Sequence, residues 1–300
     1  MTPGLLERRD LPAAVAAPLE RSWTEAEAFA YCSALTKSHY ENFPVGSILM
    51  PKALQPAVHS LYAFMRTADD FSDEDRKAGD EAERMAWLNS WEAMLLDPQP
   101  KHPIFIALQA TLKQHPLPVE WLTDLLHAFK MDVTVRRYET WDNLLDYCRY
   151  SANPVGRLIL TLSGYRDEAL YRLSDSICTA LQLANHWQDV SVDLKKDRIY
   201  LPQDSWRRFG VQEADLLKKQ MTPAIKQLLT FEVARARELF MQGRVLPERV
   251  TGRLRFELRF TWRGGVRILD KIESADYDVF TRRPVVTKTD WFGIAIRSLF

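Results

Sequence analysis

Two acidic stripes of helical period constrain this chain more than any other feature. Residues 182–202 read Gln-Leu-Ala-Asn-His-Trp-Gln-Asp-Val-Ser-Val-Asp-Leu-Lys-Lys-Asp-Arg-Ile-Tyr-Leu-Pro. On a helix of 3.6 residues per turn, Gln182, Asn185, Asp189 and Asp193 share roughly 80° of arc. Leu181, Leu183 and Trp187 beside them are apolar. Two carboxylates one turn apart repel when both are ionised, and a cation between them removes that penalty. Oxygen-only ligands suit a hard ion such as Mg²⁺, completed by waters and substrate phosphates. Taken alone, the stripe reads as a solvated face sooner than as a metal site, since charge runs are usually surface.

The second stripe shifts that balance. In Leu61-Tyr-Ala-Phe-Met-Arg-Thr-Ala-Asp-Asp-Phe-Ser-Asp73, the residues Tyr62, Arg66, Asp69 and Asp73 also fall on one helix face. Leu61, Phe64, Met65 and Ala68 cover other sides, leaving little of the helix for solvent. Two mostly apolar helices with aspartate pairs predict carboxylates facing each other across a cavity. Arg66, one turn before Asp69, adds a fixed positive charge. Metal-bridged carboxylates with an adjacent Arg fit a phosphate or diphosphate.

Composition bounds the rest. Three hundred residues, 46% hydrophobic, bury a large core. Lys+Arg and Asp+Glu are equal at 40 each, so no net field favours nucleic acid. The arginines of 249–267 (Arg253, Arg255, Arg259, Arg263 and Arg267) are read as salt-bridging and diphosphate-contacting rather than as a nucleic-acid face. Cys32, Cys148 and Cys178 match neither a disulfide framework nor a zinc pattern, and fit a reducing cytoplasm. Arg8 and Arg9 before Leu11–Leu19 loosely mimic a signal peptide, but Asp10, Pro12 and Pro18 interrupt the run. Residues 1–22 are therefore expected to be a disordered leader. No apolar stretch is long enough to span a membrane.

Along the chain, Thr24 predicts an N-cap for a helix to about Leu35. Helical patterns follow in the Tyr62 stripe and at 81–96, 103–114, 118–136, 141–150, 157–163, 167–196, 211–218, 222–243 and 246–274. Pro154 and Gly156 in Ser151-Ala-Asn-Pro-Val-Gly156 predict a kink. No run of alternating strands occurs. The expected class is all-α, a single-domain helical bundle around a central cavity, with a domain over 23–285 and a tail over 286–300.

The paired motifs at 62–73 and 182–193, followed by Arg-Ile-Tyr-Leu-Pro at 198–202, resemble the squalene/phytoene synthase family over about residues 25–285. The resemblance implies an isoprenoid-synthase fold whose aspartates bind Mg²⁺ ions that hold a prenyl diphosphate. Carried over by position, it makes Asp69, Asp73, Asn185, Asp189 and Asp193 metal-side residues. Tyr62, Arg66 and Gln182 become diphosphate or intermediate contacts. His39, Tyr40, Asn42 and Phe43 match the family's substrate loop. Tyr147, Val155 and Gly156 sit where the family lines its cavity, Arg198 and Tyr200 follow the second motif, and Tyr277 with Arg282–Arg283 matches a tail that closes over diphosphate.

The chain departs from the family's condensing enzymes. They carry Arg before the first Asp of the second motif, where this chain has Gln188; Val192 replaces an acidic residue; and the break reads Asn-Pro-Val-Gly-Arg-Leu. With Asn-Phe-Pro-Val-Gly-Ser at 42–47, these resemble the hydroxysqualene synthase branch of bacterial hopanoid biosynthesis. That branch ionises presqualene diphosphate and quenches the cation with water. The resemblance implies a hand-over from a presqualene diphosphate synthase, a cytoplasmic location, and at most peripheral contact with the inner membrane face. A hydroxylated product requires a polar group that positions one water, for which Asn153, Tyr147, His186 and the neutral amide of Gln188 are candidates. Two alternatives stand beside this one: a condensing enzyme that makes squalene, dehydrosqualene or phytoene from two prenyl diphosphates, and a non-catalytic helical partner of such a synthase.

Overall fold

A computed structural model of the chain describes residues 11–38, 50–72 and 80–299. Among the described residues every regular element is helical, and an isolated parallel bridge joins Arg137 to Ile199. The helices fall into two compact units, Met1–Thr134 and Val135–Phe300.

The first unit contains α1 (Glu25–Ser38), α2 (Gln55–Ser72), α3 (Glu81–Leu95), α4 (Pro103–Gln114) and α5 (Glu120–Thr134). Local chemistry sets the starts. Thr24 and Glu27 exchange side-chain-to-backbone bonds at the head of α1, forming a capping box. Asp80 accepts from the Glu83 amide at 2.9 Å to open α3. The hub is α2, which packs on α1, α3, α4 and α5. Its Phe64 and Phe71 close on Trp91 of α3, and Trp91 lies 4.4 Å from the ring of Phe105 on α4.

The second unit runs through α6 (Trp141–Ser151), α7 (Asn153–Leu162), α8 (Glu168–Asp193), α9 (Gln203–Arg208), α10 (Glu213–Leu217), α11 (Pro223–Gly243), α12 (Leu246–Arg249), α13 (Gly252–Ser274) and α14 (Lys288–Ser298). Here α8 is the hub, packed on α6, α7, α11, α12 and α13. Close crossings require glycine. A Cβ at Gly156 of α7 would lie 2.2 Å from Ser174 Oγ, and one at Gly243 of α11 would lie 2.8 Å from the Leu173 carbonyl oxygen. Each acidic stripe therefore rides on the helix that organises its unit.

Several boundaries differ from the sequence reading. The Asn-Pro-Val-Gly segment is the first turn of α7 rather than a gap before a helix at 157; Ala152 alone separates it from α6, and Pro154 occupies the first turn, where its missing N–H costs nothing. The pattern at 246–274 divides at Val250–Thr251 into α12 and α13. Residues 203–208, outside the helical patterns of the sequence, form α9. The region expected as a disordered leader includes helical turns at Ala13–Ala16 and Ala17–Glu20. A tertiary bond explains them: His102 Nε2 reaches the Val15 carbonyl at 3.1 Å, and Leu11 is buried. The expected tail contains α14. The arginine-rich helix α13 does bridge acids, with Arg259 on Glu248 at 2.8 Å and Arg267 on Asp290 at 2.7 Å. Cys32 on α1 and Cys148 on α6 are fully buried free thiols. Burial pushes Cys32 up to about 12, and it pushes Cys148 up as well.

His102 gives the first unit a pH limit. Its Nδ1 accepts from the Ile104 amide at 3.3 Å while Nε2 faces Val15, which requires the neutral ring with its proton on Nε2. Burial pushes the group down to about 4. The folded value lies below the unfolded one, so the stabilisation is complete above about pH 6.5 and is lost as pH falls from there toward about 4. His102→Asn keeps an N-cap but cannot titrate. It should melt below wild type at neutral pH and lose less stability on acidification. Thermal melts at several pH values check this, and parallel acid limbs for the two proteins would sink it.

Candidate active site

In the first unit, the stripe of α2 is locally neutralised. Arg66 Nη1 donates to Asp69 Oδ2 at 2.7 Å, and Nη2 meets Asp70 Oδ1 at 2.6 Å. One guanidinium thus spans two carboxylates on its own helix. The Arg66 side chain is 15% exposed while that of Asp69 is 46% exposed, so the acid retains access to a ligand. Tyr62, one turn earlier, is buried; burial raises its hydroxyl pKa, and nearby Arg66 partly opposes this. Asp73, His39, Tyr40, Asn42 and Phe43 lie outside the described residues.

In the second unit, the stripe of α8 is answered from far along the chain. Asn185 Nδ2 donates to Asp189 Oδ2 at 2.9 Å, leaving the Asn185 carbonyl oxygen as a further donor atom. Arg283 grips Asp189 with both faces of its fork: Nε meets Oδ1, and Nη2 meets Oδ2 at 3.1 Å. The same Nη2 donates to Gln188 Oε1 at 3.2 Å, and Gln188 Nε2 donates to the Pro284 carbonyl. Gln188 is buried, and both ends of its amide are engaged by residues 283 and 284. Where a condensing enzyme would carry Arg beside this aspartate, the chain pairs a neutral amide with a guanidinium from 94 residues away.

Asp193 lines a small cavity together with His186, Arg198 and Tyr200. His186 stacks on Tyr200 with centroids 3.6 Å apart, and Tyr147 packs within 6.0 Å of both rings. Burial, helped by Arg198, pushes His186 down to about 3, so the ring is neutral. Its Nε2 is buried and makes no hydrogen bond among the described residues. Tyr147, Arg198 and Tyr200 are themselves buried, so they form the layer beneath Asp193. Asn153 accepts from Thr179 Oγ1 at 2.9 Å, tying α7 to α8. Val155 and Gln182 are half-buried, and Gly156 serves the helix crossing. Tyr277 adopts φ 63° just beyond α13, where its amide bonds the Ile272 carbonyl at 2.9 Å and turns the chain toward Arg283.

Comparison with known proteins identifies the family and the fold. A family model for squalene/phytoene synthase matches residues 36–290. The chain belongs to that family. The hydroxysqualene synthase of Rhodopseudomonas palustris is 35% identical over 238 residues, covering 79% of this chain and 80% of the relative. A solved squalene synthase, HpnC, from Alicyclobacillus acidocaldarius is 40% identical, with a TM-score of 0.78 over 90% of this chain and 98% of that one. A dehydrosqualene synthase solved with ligand is 26% identical, with a TM-score of 0.81 over 92% and 96%. The fold is that of the isoprenoid synthases, and the family's enzymes act on prenyl diphosphates.

The donor set fits Mg²⁺ within this family. All the stripe ligands are hard oxygens, and Mg²⁺ characteristically takes one or two carboxylates plus phosphate oxygens and water. Among the described residues no three His, Cys, Asp or Glu side chains converge as a ready-made cage. The resemblance names Arg282–Arg283 as part of a closing tail, but the grip of Arg283 on Asp189 is not visible in the sequence, since residues 279–287 carry no helical period to orient them. A cation that binds Asp189 competes with this guanidinium. Arg283→Ala should therefore tighten Mn²⁺ binding to the substrate-free protein by about fivefold, the worth of a partly exposed ion pair. A paramagnetic-resonance titration reads this directly; equal or weaker binding would show that the clamp and the ion do not compete.

Proposed function

We propose that this protein is a hydroxysqualene synthase: a Mg²⁺-dependent enzyme that ionises presqualene diphosphate and quenches the resulting cation with water. The carrying observation is the guanidinium placed against the leading aspartate of each stripe, Arg66 on Asp69 and Arg283 on Asp189. Carboxylates for a metal and guanidinium forks for phosphate oxygens are the two components a departing diphosphate needs. In this reading Arg66 and Arg283 bind diphosphate oxygens, and Asp69, Asp73, Asn185, Asp189 and Asp193 hold the metal. Mg²⁺, when bound, supplies the charge that makes diphosphate a competent leaving group. Cleavage of the carbon–oxygen bond leaves its electron pair on diphosphate; a water oxygen then bonds to the carbocation and gives up one proton to the released diphosphate.

Two observations support the water quench over condensation. The identity to a hydroxysqualene synthase is 35%, against 26% to a dehydrosqualene synthase. Gln188 also replaces the arginine of condensing enzymes, and its neutral amide orients polar partners without adding charge of its own. The condensing reading has its own support in the 40% identity to a structure described as a squalene synthase.

One experiment separates them. Purified protein with Mg²⁺ and presqualene diphosphate in ¹⁸O-water should yield a labelled alcohol, with or without NADPH. An unlabelled hydrocarbon formed only with NADPH, or products formed only from prenyl diphosphate pairs, would move the chain to the condensing class. Turnover should vanish in EDTA and return with Mg²⁺. Asp69→Ala and Asp189→Ala should each lower turnover by a factor on the order of a hundred or more while leaving the melting temperature within a few degrees of wild type. Near-normal turnover in both would show the stripes to be ordinary solvated faces.

A further inference from the structure

From Arg283 to Val286 the chain makes no backbone–backbone hydrogen bond among the described residues. The stretch is pinned by acids on either side. Asp278 accepts from the amides of Phe280 and Thr281 at 3.1 and 3.0 Å, and Asp290 accepts from the Thr287 amide at 2.9 Å. Between those points, every hydrogen bond among the described residues runs to Gln188 or Asp189 of α8. Pro284 is buried, has no N–H, and confines Arg283 before it to extended backbone. The tail itself therefore does little to set where the Arg283 fork points; α8 does the rest.

Gln188 joins the two tail residues. Its Oε1 accepts from Arg283 Nη2 at 3.2 Å, and its Nε2 donates to the Pro284 carbonyl. The partners fix the sense of the amide, since a guanidinium only donates and a carbonyl only accepts. A carboxylate at 188 would lose the bond to Pro284 and set a second negative charge beside Asp189. A cation there would lose the acceptor and repel Arg283. The Arg283 side chain is 45% exposed, so its ion pair with Asp189 is partly screened and weak by itself. A long side chain also gives up rotamer freedom when it is held in one place. The buried amide of Gln188 offsets both, because it fixes the peptide next to the guanidinium and engages one of its donors.

We propose that Gln188 is a positioning residue that acts through Arg283. Its amide latches the tail at Pro284 and keeps the Arg283 fork beside the metal-side carboxylates, where it can exchange Asp189 for a diphosphate oxygen. The assignment rests on the diphosphate reading given above and adds to it the residue that aims the guanidinium.

A double-mutant cycle on the substrate-free protein tests it, with Mn²⁺ binding read by paramagnetic resonance. Gln188→Ala introduces a good helix former and lets water reach the Pro284 carbonyl, so its melting temperature should stay within a few degrees of wild type. With the latch open, Arg283 guards Asp189 less well, and Mn²⁺ should bind about threefold more tightly, the direction expected of Arg283→Ala. Gln188→Ala combined with Arg283→Ala should match Arg283→Ala alone, because Gln188 then has nothing to position. Affinity for inorganic pyrophosphate with Mg²⁺, read by calorimetry, should fall about threefold in Gln188→Ala, and the double variant should again match Arg283→Ala. Gln188→Met, of similar reach but without the amide, repeats the cycle if Gln188→Ala melts early. Additive changes in either cycle, or wild-type Mn²⁺ affinity in Gln188→Ala, would overturn the proposal. Pyrophosphate binding indifferent to both residues, beside a non-additive Mn²⁺ cycle, would leave the latch standing and count against the diphosphate reading instead.

Discussion

On each hub helix a guanidinium answers the leading aspartate of the acidic stripe, and the charge balance of both stripes depends on that pairing. Burying an unpaired carboxylate costs several kcal/mol in practice. The two units meet the requirement differently. Arg66 reaches Asp69 and Asp70 from one turn back, so its geometry is set by the helix alone. Arg283 reaches Asp189 only because the chain leaves α13 through two left-handed residues, Asp276 and Tyr277, and returns along α8. The first pair is a property of local sequence, and the second is a property of the fold.

Beneath the second stripe, polar aromatics pack beside the aliphatic side chains of Val190, Ile199 and Leu201. Tyr138, Tyr147, His186 and Tyr200 stack together, and burial, with Arg198 adding to it, holds the imidazole neutral. A neutral ring adds no charge next to Asp193. The aspartate's surroundings are thus set by side chains that pack as core while keeping hydrogen-bonding edges. Tyr147, Arg198 and Tyr200, which the family resemblance places at the substrate, belong to this layer.

Much of this was legible in advance because it is periodic or local. The stripes, the Thr24 cap, most helices from 81 to 243 and the all-α class follow from spacing over a few turns. What escaped depends on distant partners. The turns at 13–20 exist because His102 holds Val15, a contact 87 residues apart. The order of α14 rests on Asp290 meeting two cations of α13, which no window around residue 290 contains. The engagement of Gln188 required knowing where Pro284 lies. The division at Val250–Thr251 was masked by the strong apolar and basic pattern running through it.

The buried thiols lend the molecule a pair of internal clocks. Alkylating reagents attack the thiolate, and a fully buried thiol with a raised pKa supplies almost none until its helix leaves the packing. Cys32 reports on the unit built round α2, and Cys148 on the unit built round α8. Peptide-resolved alkylation in mild urea therefore times the opening of each unit separately, without any introduced label. If the two modification rates coincide across denaturant, the units open as one cooperative body; if they part, the chain has two stabilities rather than one.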